Sequence, residues 1–277
     1  MTVYCLFRQH APYPWREVKR GIESHGEEVH LGYNNKAISK KDTVLTWNNY
    51  GIGARLGQKI YDLGGLHLAF ENGYLLPDAF WFAVGLHGIS GEDQSYIEEK
   101  DNSRWKNFNL KIEPWRKQGH TILVCGQRGG NYNRLSMPNT WPQEIIWKLR
   151  EISDRKIIYR PHPQRQRLPS SLPANCEIGD PKKSLLSELK EAFICVVWTS
   201  SAVLQALLMG VPCIYLGPDH IARDLMYSNL SGIETPFYPS CRQIFFIELA
   251  WRQFHLSELS NGFMWETMVR RWQQQEK

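Results

Sequence analysis

The residues of this sequence best suited to chemistry lie in short polar turns that follow apolar runs. In "CVVWTSSAVLQALLMGVPCIYL", from Cys195 to Leu216, a largely β-branched run ends at Thr199-Ser200-Ser201. Ala202 to Met209 then reads as a helix, stopped by Gly210, and Val211 to Leu216 begin another apolar run. Hydroxyls and unpaired backbone N–H groups converge at such a turn, helped by the helix dipole, which suits a phosphate. An ordinary helix cap is the competing reading. His162 lies between Pro161 and Pro163 with Arg160 two residues earlier, placing an imidazole and a guanidinium near the presumed anion. Its rival is a solvated turn. Gln127 and Arg128 open the loop "QRGGNYNR", which offers glycine N–H groups and two guanidiniums. Glu71, in Glu71-Asn72-Gly73, is the candidate general base, and His87, in Leu86-His87-Gly88, is the second choice. A loop-solvating carboxylate and a tight buried turn are their plain alternatives.

These turns need strands to carry them. Runs at Thr2–Phe7, Glu28–Leu31, Asp42–Thr46, Leu66–Phe70 and Ala79–Leu86 read as strands, with helices over Trp15–His25 and Ala54–Leu63. A charged, Trp-rich stretch from Glu92 to Gln118 has no clean period and reads as a crossover. A second series follows, with strands at Thr121–Cys125, Lys156–Tyr159 and Ile194–Val197 and helices at Trp141–Ile152 and Leu185–Ala192. Helices over Ile244–Phe254 and Phe263–Gln274 close the chain. The expected architecture is α/β, with two Rossmann-like halves facing a cleft: residues 1–110 on the acceptor side and residues 111–277 on the donor side. In open α/β sheets ligands bind outside the carboxyl ends of strands, where every selected turn is expected to lie.

Composition narrows the function. A chain of 277 residues with 42% apolar content can bury two cores. It lacks the apolar run of about 18 residues that a membrane span requires. Its beginning reads as a strand rather than a secretory signal. Six dispersed cysteines without a C-x-x-C pair read as core residues in a reducing cytoplasm. No D-x-D or other convincing divalent-cation spacing occurs, so no metal site is expected. "WNNYGIGARLG" resembles a phosphate-cradling loop but lacks the G-x-G-x-x-G spacing. The net charge of +5 is compatible with a polyanionic partner. Eleven Trp exceed the roughly three or four of average composition, and indoles stack on sugars and bases.

"RPHP" followed by "TSSAVLQALLMGVPCI" resembles bacterial glycosyltransferases of the two-domain GT-B architecture, above all capsule-type sialyl- and Kdo-transferases and the related polyol-phosphate transferases. The resemblance covers about Leu110 to Leu216. It implies that His162-Pro163 and Ser200-Ser201 hold the phosphate and ribose of a nucleotide-sugar donor, cytidine- or uridine-linked. It also implies a carboxylate base in the first half, for which Glu71-Asn72-Gly73 is the match, with Asn where the family offers a second acid. "PWRKQGHTILVCGQ" leading to "YRPHP" is similar to short glycosyltransferase-like proteins of tailed phages, which implies a host cytoplasm; with His162, Arg160, Ser200 and Ser201 to stabilise the leaving phosphate, metal-independent transfer is expected.

Two acceptors fit such an enzyme. One is a hydroxymethylated pyrimidine in duplex DNA, contacted by Arg16, Lys19, Arg20, Lys36, Lys40, Lys41, Lys106 and Arg116 near Trp15, Trp47, Trp105 and Trp115. The other is a polysaccharide or glycan. The charge and the phage likeness put DNA narrowly ahead. A non-enzymatic nucleic-acid-binding module and an epimerase-like nucleotide-sugar enzyme are the remaining readings.

Overall fold

A computed structural model describes residues 2–10, 13–33, 38–48, 51–76, 80–88, 101–127, 136–164, 167–180 and 182–275. Its first elements are β1 (Thr2–Cys5), α1 (Trp15–Glu23), β2 (Glu28–Leu31), β3 (Thr43–Trp47), α2 (Gly51–Asp62), β4 (Leu66–Asn72), β5 (Trp81–Leu86) and α3 (Ser103–Asn107). There follow β6 (Thr121–Cys125), α4 (Trp141–Ile152), β7 (Lys156–Arg160), β8 (Cys176–Ile178), α5 (Leu185–Leu189), β9 (Ala192–Val197), α6 (Ala202–Leu208) and β10 (Cys213–Tyr215). The last are α7 (Arg242–Ala250), β11 (Gln253–His255), α8 (Leu256–Ser260) and α9 (Phe263–Gln275). The chain divides into two compact units: Met1–Phe108 with Phe246–Lys277, and Asn109–Phe245. Among the described residues, no helix is long and apolar enough to cross a membrane.

The second unit is built on a parallel sheet ordered β10-β9-β6-β7-β8. The chain starts in the middle at β6, lays down β7 and β8 on one side, then returns to place β9 and β10 on the other. This is a Rossmann-like order, and its direction reverses between β6 and β9. Both central strands are buried along their whole length, as uninterrupted apolar runs covered on both faces should be. Ile122, Val124, Ile145, Leu149, Ile194 and Val196 belong to the resulting core. The end of the expected crossover, from Asn109 to Gln118, lies against this unit rather than hanging free. Glu113 N donates to Leu208 O at 2.8 Å, and Arg116 N to Gly210 O at 2.7 Å. The Arg116 guanidinium donates to the carbonyls of Leu189, Lys190 and Ala192.

The first unit holds a sheet ordered β11-β5-β4-β3-β1-β2. Strands β2, β1, β3 and β4 are parallel, whereas β5 is antiparallel to β4 and β11 antiparallel to β5. Val3, Leu45, Leu68, Phe70 and Val84 form its core together with Phe254, Trp265 and Met268 from the end of the chain.

Two sequence expectations change here. The closing helices, assigned to the second half as part of residues 111–277, belong to the first unit from Phe246 onward. The single helix expected over Ile244–Phe254 ends at Ala250, and Gln253–His255 adds an edge strand paired with Trp81–Ala83. An amphipathic pattern cannot register the open edge of β5, which lies far away in sequence. Arg104 secures the return: it donates to Ala250 O at 3.1 Å and to Gln253 O, and grips both Glu258 oxygens at 2.7 and 2.6 Å.

Candidate functional site

The carboxyl edge of the second sheet brings several of the expected residues together. Strands β6 and β9 end level, with Cys125 opposite Val197, at the point where the strand order reverses. Gln127 leaves β6 and Thr199 leaves β9, and the two meet. Gln127 Oε1 accepts from Thr199 N at 3.1 Å and from Thr199 Oγ1 at 2.9 Å. The next residues form the turn into α6. Ser200 Oγ accepts from Ala202 N at 3.3 Å, while the Ser201 side chain makes no capping bond. Among the described residues, no hydrogen bond engages the backbone N–H of Ser200 or Ser201. An α/β sheet collects ligands at such a reversal point because the loops on either side diverge there.

His162 follows β7 on the same edge, half-buried, with Pro163 exposed beside it. Its Nδ1 accepts from Gln164 N at 3.2 Å, so the neutral ring carries its hydrogen on Nε2. Arg160, expected at the donor phosphate, is engaged by partners within the unit. Its Nη1 pairs with the carboxylate of Glu188, only 5% exposed, and its Nη2 donates to Lys183 O at 2.9 Å. Arg160 therefore ties β7 to α5 and neutralises a buried acid. Arg128 lies outside the described residues, as does Lys36.

The two candidate bases occupy opposite edges of the first sheet. Glu71 is within β4 near its carboxyl end, opposite Ala83, and the Tyr74 hydroxyl donates to its Oε2. His87 also follows a strand, but β5 runs antiparallel. Its N–H donates to the carbonyl of His67, at the amino end of β4, at 2.9 Å. Glu71 lies four residue steps along the strand from His67, about 13 Å at the usual rise. The rule that a turn after a strand lies on the ligand edge fails for His87 because strand direction was not legible. His87 also has a positive φ of 61° and packs on the Tyr61 ring, with centroids 4.5 Å apart.

Several indoles and cations expected at a DNA surface have work inside the fold. Trp115 donates through Nε1 to Pro239 O at 3.2 Å beneath the Arg242 guanidinium, which lies 3.8 Å from its ring. Trp47 packs edge-on against Phe7 and Tyr13. Arg116 is taken up by the three carbonyls named above, whereas Lys19 forms an i,i+4 pair with Glu23 on the surface.

The sequence reading assigned no role to the segment after β10, yet it adjoins the Thr199 turn. Gly217 N donates to Trp198 O at 3.0 Å, and a Cβ on Gly217 would lie 2.2 Å from the Thr199 methyl. The chain then turns through Pro218-Asp219, and His220 reaches back to Ser200 O at 3.2 Å. The only signal for this was a strand exit rich in turn residues followed by His.

No protein-family model matches the sequence, and no curated protein is similar to it in sequence. Its fold is nonetheless a known one: two Rossmann-like α/β halves of the GT-B kind. The chain is similar to the solved structure of Thermosulfurimonas dismutans KpsC, beta Kdo 2,4 transferase, with a TM-score of 0.59 at 12% identity, covering 96% of this chain and 97% of that one. It is also similar to the structure of the same organism's KpsC, beta Kdo 2,7 transferase, with a TM-score of 0.58 at 16% identity, covering 92% of each chain. Similarity at these identities establishes the fold.

Proposed function

We propose that the protein is a glycosyltransferase that binds a nucleotide-sugar donor at the carboxyl edge of its second sheet and transfers the sugar to a hydroxyl of a saccharide acceptor. The observation that carries this reading is the junction of Gln127 and Thr199 across the strand-order reversal, with the Ser200 and Ser201 N–H groups beside it. The GT-B fold and the names of its two Kdo-transferase neighbours support sugar transfer and a saccharide acceptor.

In this reading the bond between the anomeric carbon and the donor phosphate breaks as the acceptor oxygen bonds to that carbon. The departing phosphate gains charge. The Nε2–H of His162 and the N–H groups of the Ser200–Ser201 turn are assigned to receive it, since donors fixed beforehand stabilise developing charge without reorganising. Glu71, oriented by Tyr74, is assigned the acceptor proton. A cytidine or uridine base on the donor remains part of the proposal. Duplex DNA is the second acceptor, with Arg116 removed from its proposed contacts by the carbonyls that hold its guanidinium.

The test is nucleotide release from a panel of cytidine- and uridine-linked sugars, with glycan or hydroxymethyl-base DNA as acceptor, alongside calorimetry of nucleotide binding. His162→Ala is expected to weaken nucleotide binding by roughly 10- to 100-fold, the weight of a charge-assisted hydrogen bond. Glu71→Gln is expected to bind nucleotide normally and lose most transfer. Wild-type affinity in His162→Ala would move the donor elsewhere, and a sugar adduct on DNA alone would replace the saccharide acceptor.

A further inference from the structure

The turn proposed to receive the donor is held from two sides. Gln127 grips Thr199 from the β6 side. On the β10 side, the contact comes from His220, a residue only 3% exposed. Each ring nitrogen of His220 has one partner, and the partners determine the tautomer. Ser200 O can only accept, so Nε2 carries the hydrogen at 3.2 Å. Ala222 N can only donate, so Nδ1 is the acceptor at 3.0 Å. The ring is thus neutral, in agreement with burial lowering its pKa to about 4.

The surroundings keep the imidazole in place. Asp219 Oδ1 accepts from His220 N at 2.8 Å and from Arg223 Nη1 at 3.0 Å. The Tyr215 ring lies 6.0 Å away, tilted by 46°. Gly217 lets the chain pass close enough for this reach, because any side chain there would strike Thr199. The peptide joining Ser200 to Ser201 is anchored through its carbonyl, by His220 from the side and by Val203 N at 3.3 Å from the first turn of α6, and the N–H of that same peptide belongs to Ser201. A hydrogen bond to one end of a planar peptide orients the other end.

We propose that His220 is a positioning residue for the donor: by holding the Ser200 carbonyl it aims the Ser201 N–H and the adjoining turn at the nucleotide phosphate, while touching no substrate itself. This rests on the donor reading above. His220 and Gln127 then act as a pair of clamps, one on each strand neighbouring β9.

Two variants separate positioning from packing, since each carries an amide in the same buried place. His220→Gln can keep a donor near the Nε2 position, whereas His220→Asn can keep the acceptor for Ala222 but cannot reach Ser200. Binding of cytidine and uridine diphosphates and monophosphates would be measured by calorimetry, and amide exchange of residues 199–202 followed in the free proteins. The expected result is that His220→Asn binds roughly three- to tenfold more weakly and exchanges faster at Ala202, whose N–H is held by Ser200 Oγ, while His220→Gln stays within about twofold of wild type. Equal behaviour of the two variants, whether binding is kept, binding is lost or both fail to fold, would make His220 a packing residue and overturn the proposal. Wild-type protein that binds none of these nucleotides would overturn the donor reading itself and this role with it, a result the wild-type control distinguishes.

Discussion

Lowering the pH from 7 to 5 is expected to destabilise the first unit through His67. This ring is 1% exposed, and its Nε2 lies 2.9 Å from Thr46 Oγ1. The Thr46 hydroxyl donates to Asn48 O at 2.8 Å, so it accepts from Nε2–H. Burial, then the neighbouring His87, lowers the His67 pKa from 6.5 to about 3. Above pH 6.5 neither the folded nor the unfolded chain protonates this ring, and its full contribution to stability is present. Below 6.5 the unfolded chain takes up a proton that the folded one refuses. Stability then falls by about 1.4 kcal/mol per pH unit until the native ring itself protonates. At pH 5 the loss is about 2 kcal/mol, a large share of the roughly 5–15 kcal/mol by which proteins are stable. His220, with its pKa lowered to about 4, imposes a similar slope on the second unit over a shorter range. Urea unfolding at pH 7, 6 and 5 would compare wild type with His67→Gln, which can still donate to Thr46 but cannot titrate. The variant is expected to lose about 2 kcal/mol less than wild type between pH 6.5 and 5. Identical pH dependence in the two proteins would refute the argument, because no buried neutral histidine would then be at work.

Gly210→Ala is expected to cost about 2–4 kcal/mol, because Gly210 has φ +74° and an added Cβ would lie 2.0 Å from Pro114 O. Thermal unfolding would measure it, and a shift below a degree would contradict the close seating of the crossover on the second unit. Gln127→Leu removes both bonds to Thr199 and is expected to weaken nucleotide binding by roughly 5- to 100-fold. A double-mutant cycle with Thr199→Val would report the coupling, and additivity of the two changes would deny the junction a role. Arg104→Met leaves Glu258 without its guanidinium and is expected to destabilise the protein by about 3 kcal/mol, read as a lower urea midpoint. An unchanged midpoint would mean that the returning end of the chain is held by other contacts.

Much of the fold was legible because the apolar runs have the right period and length. The strands at Leu66, Thr121, Lys156 and Ala192, and the helices at Trp15 and Trp141, lie where the pattern puts them, within a few residues. The polar turns after β6, β7 and β9 were also correctly read as strand exits on one edge, since parallel strands joined by helices all point the same way. The ion pair of Arg160 was not legible, because charge and spacing do not reveal a partner 28 residues away, and the buried Glu188 takes the guanidinium.

The sequence by itself determined that the chain is α/β, that its second half is a parallel sheet, and that hydroxyls and an imidazole follow those strands. Local pattern and residue type suffice for these, because they depend on neighbours a few positions away. Tertiary structure decided the rest. It turned β5 against its neighbours and so put His87 on the edge opposite Glu71. It returned Gln253–His255 to the first sheet from 170 residues further along the chain, Gln253 pairing with Ala83. It also brought His220 under Ser200 and Gln127 beside Thr199. Strand direction and contact between distant loops are properties of the packed chain, since hydrogen bonds between sheet edges cost nothing in local pattern and leave no periodic trace in it.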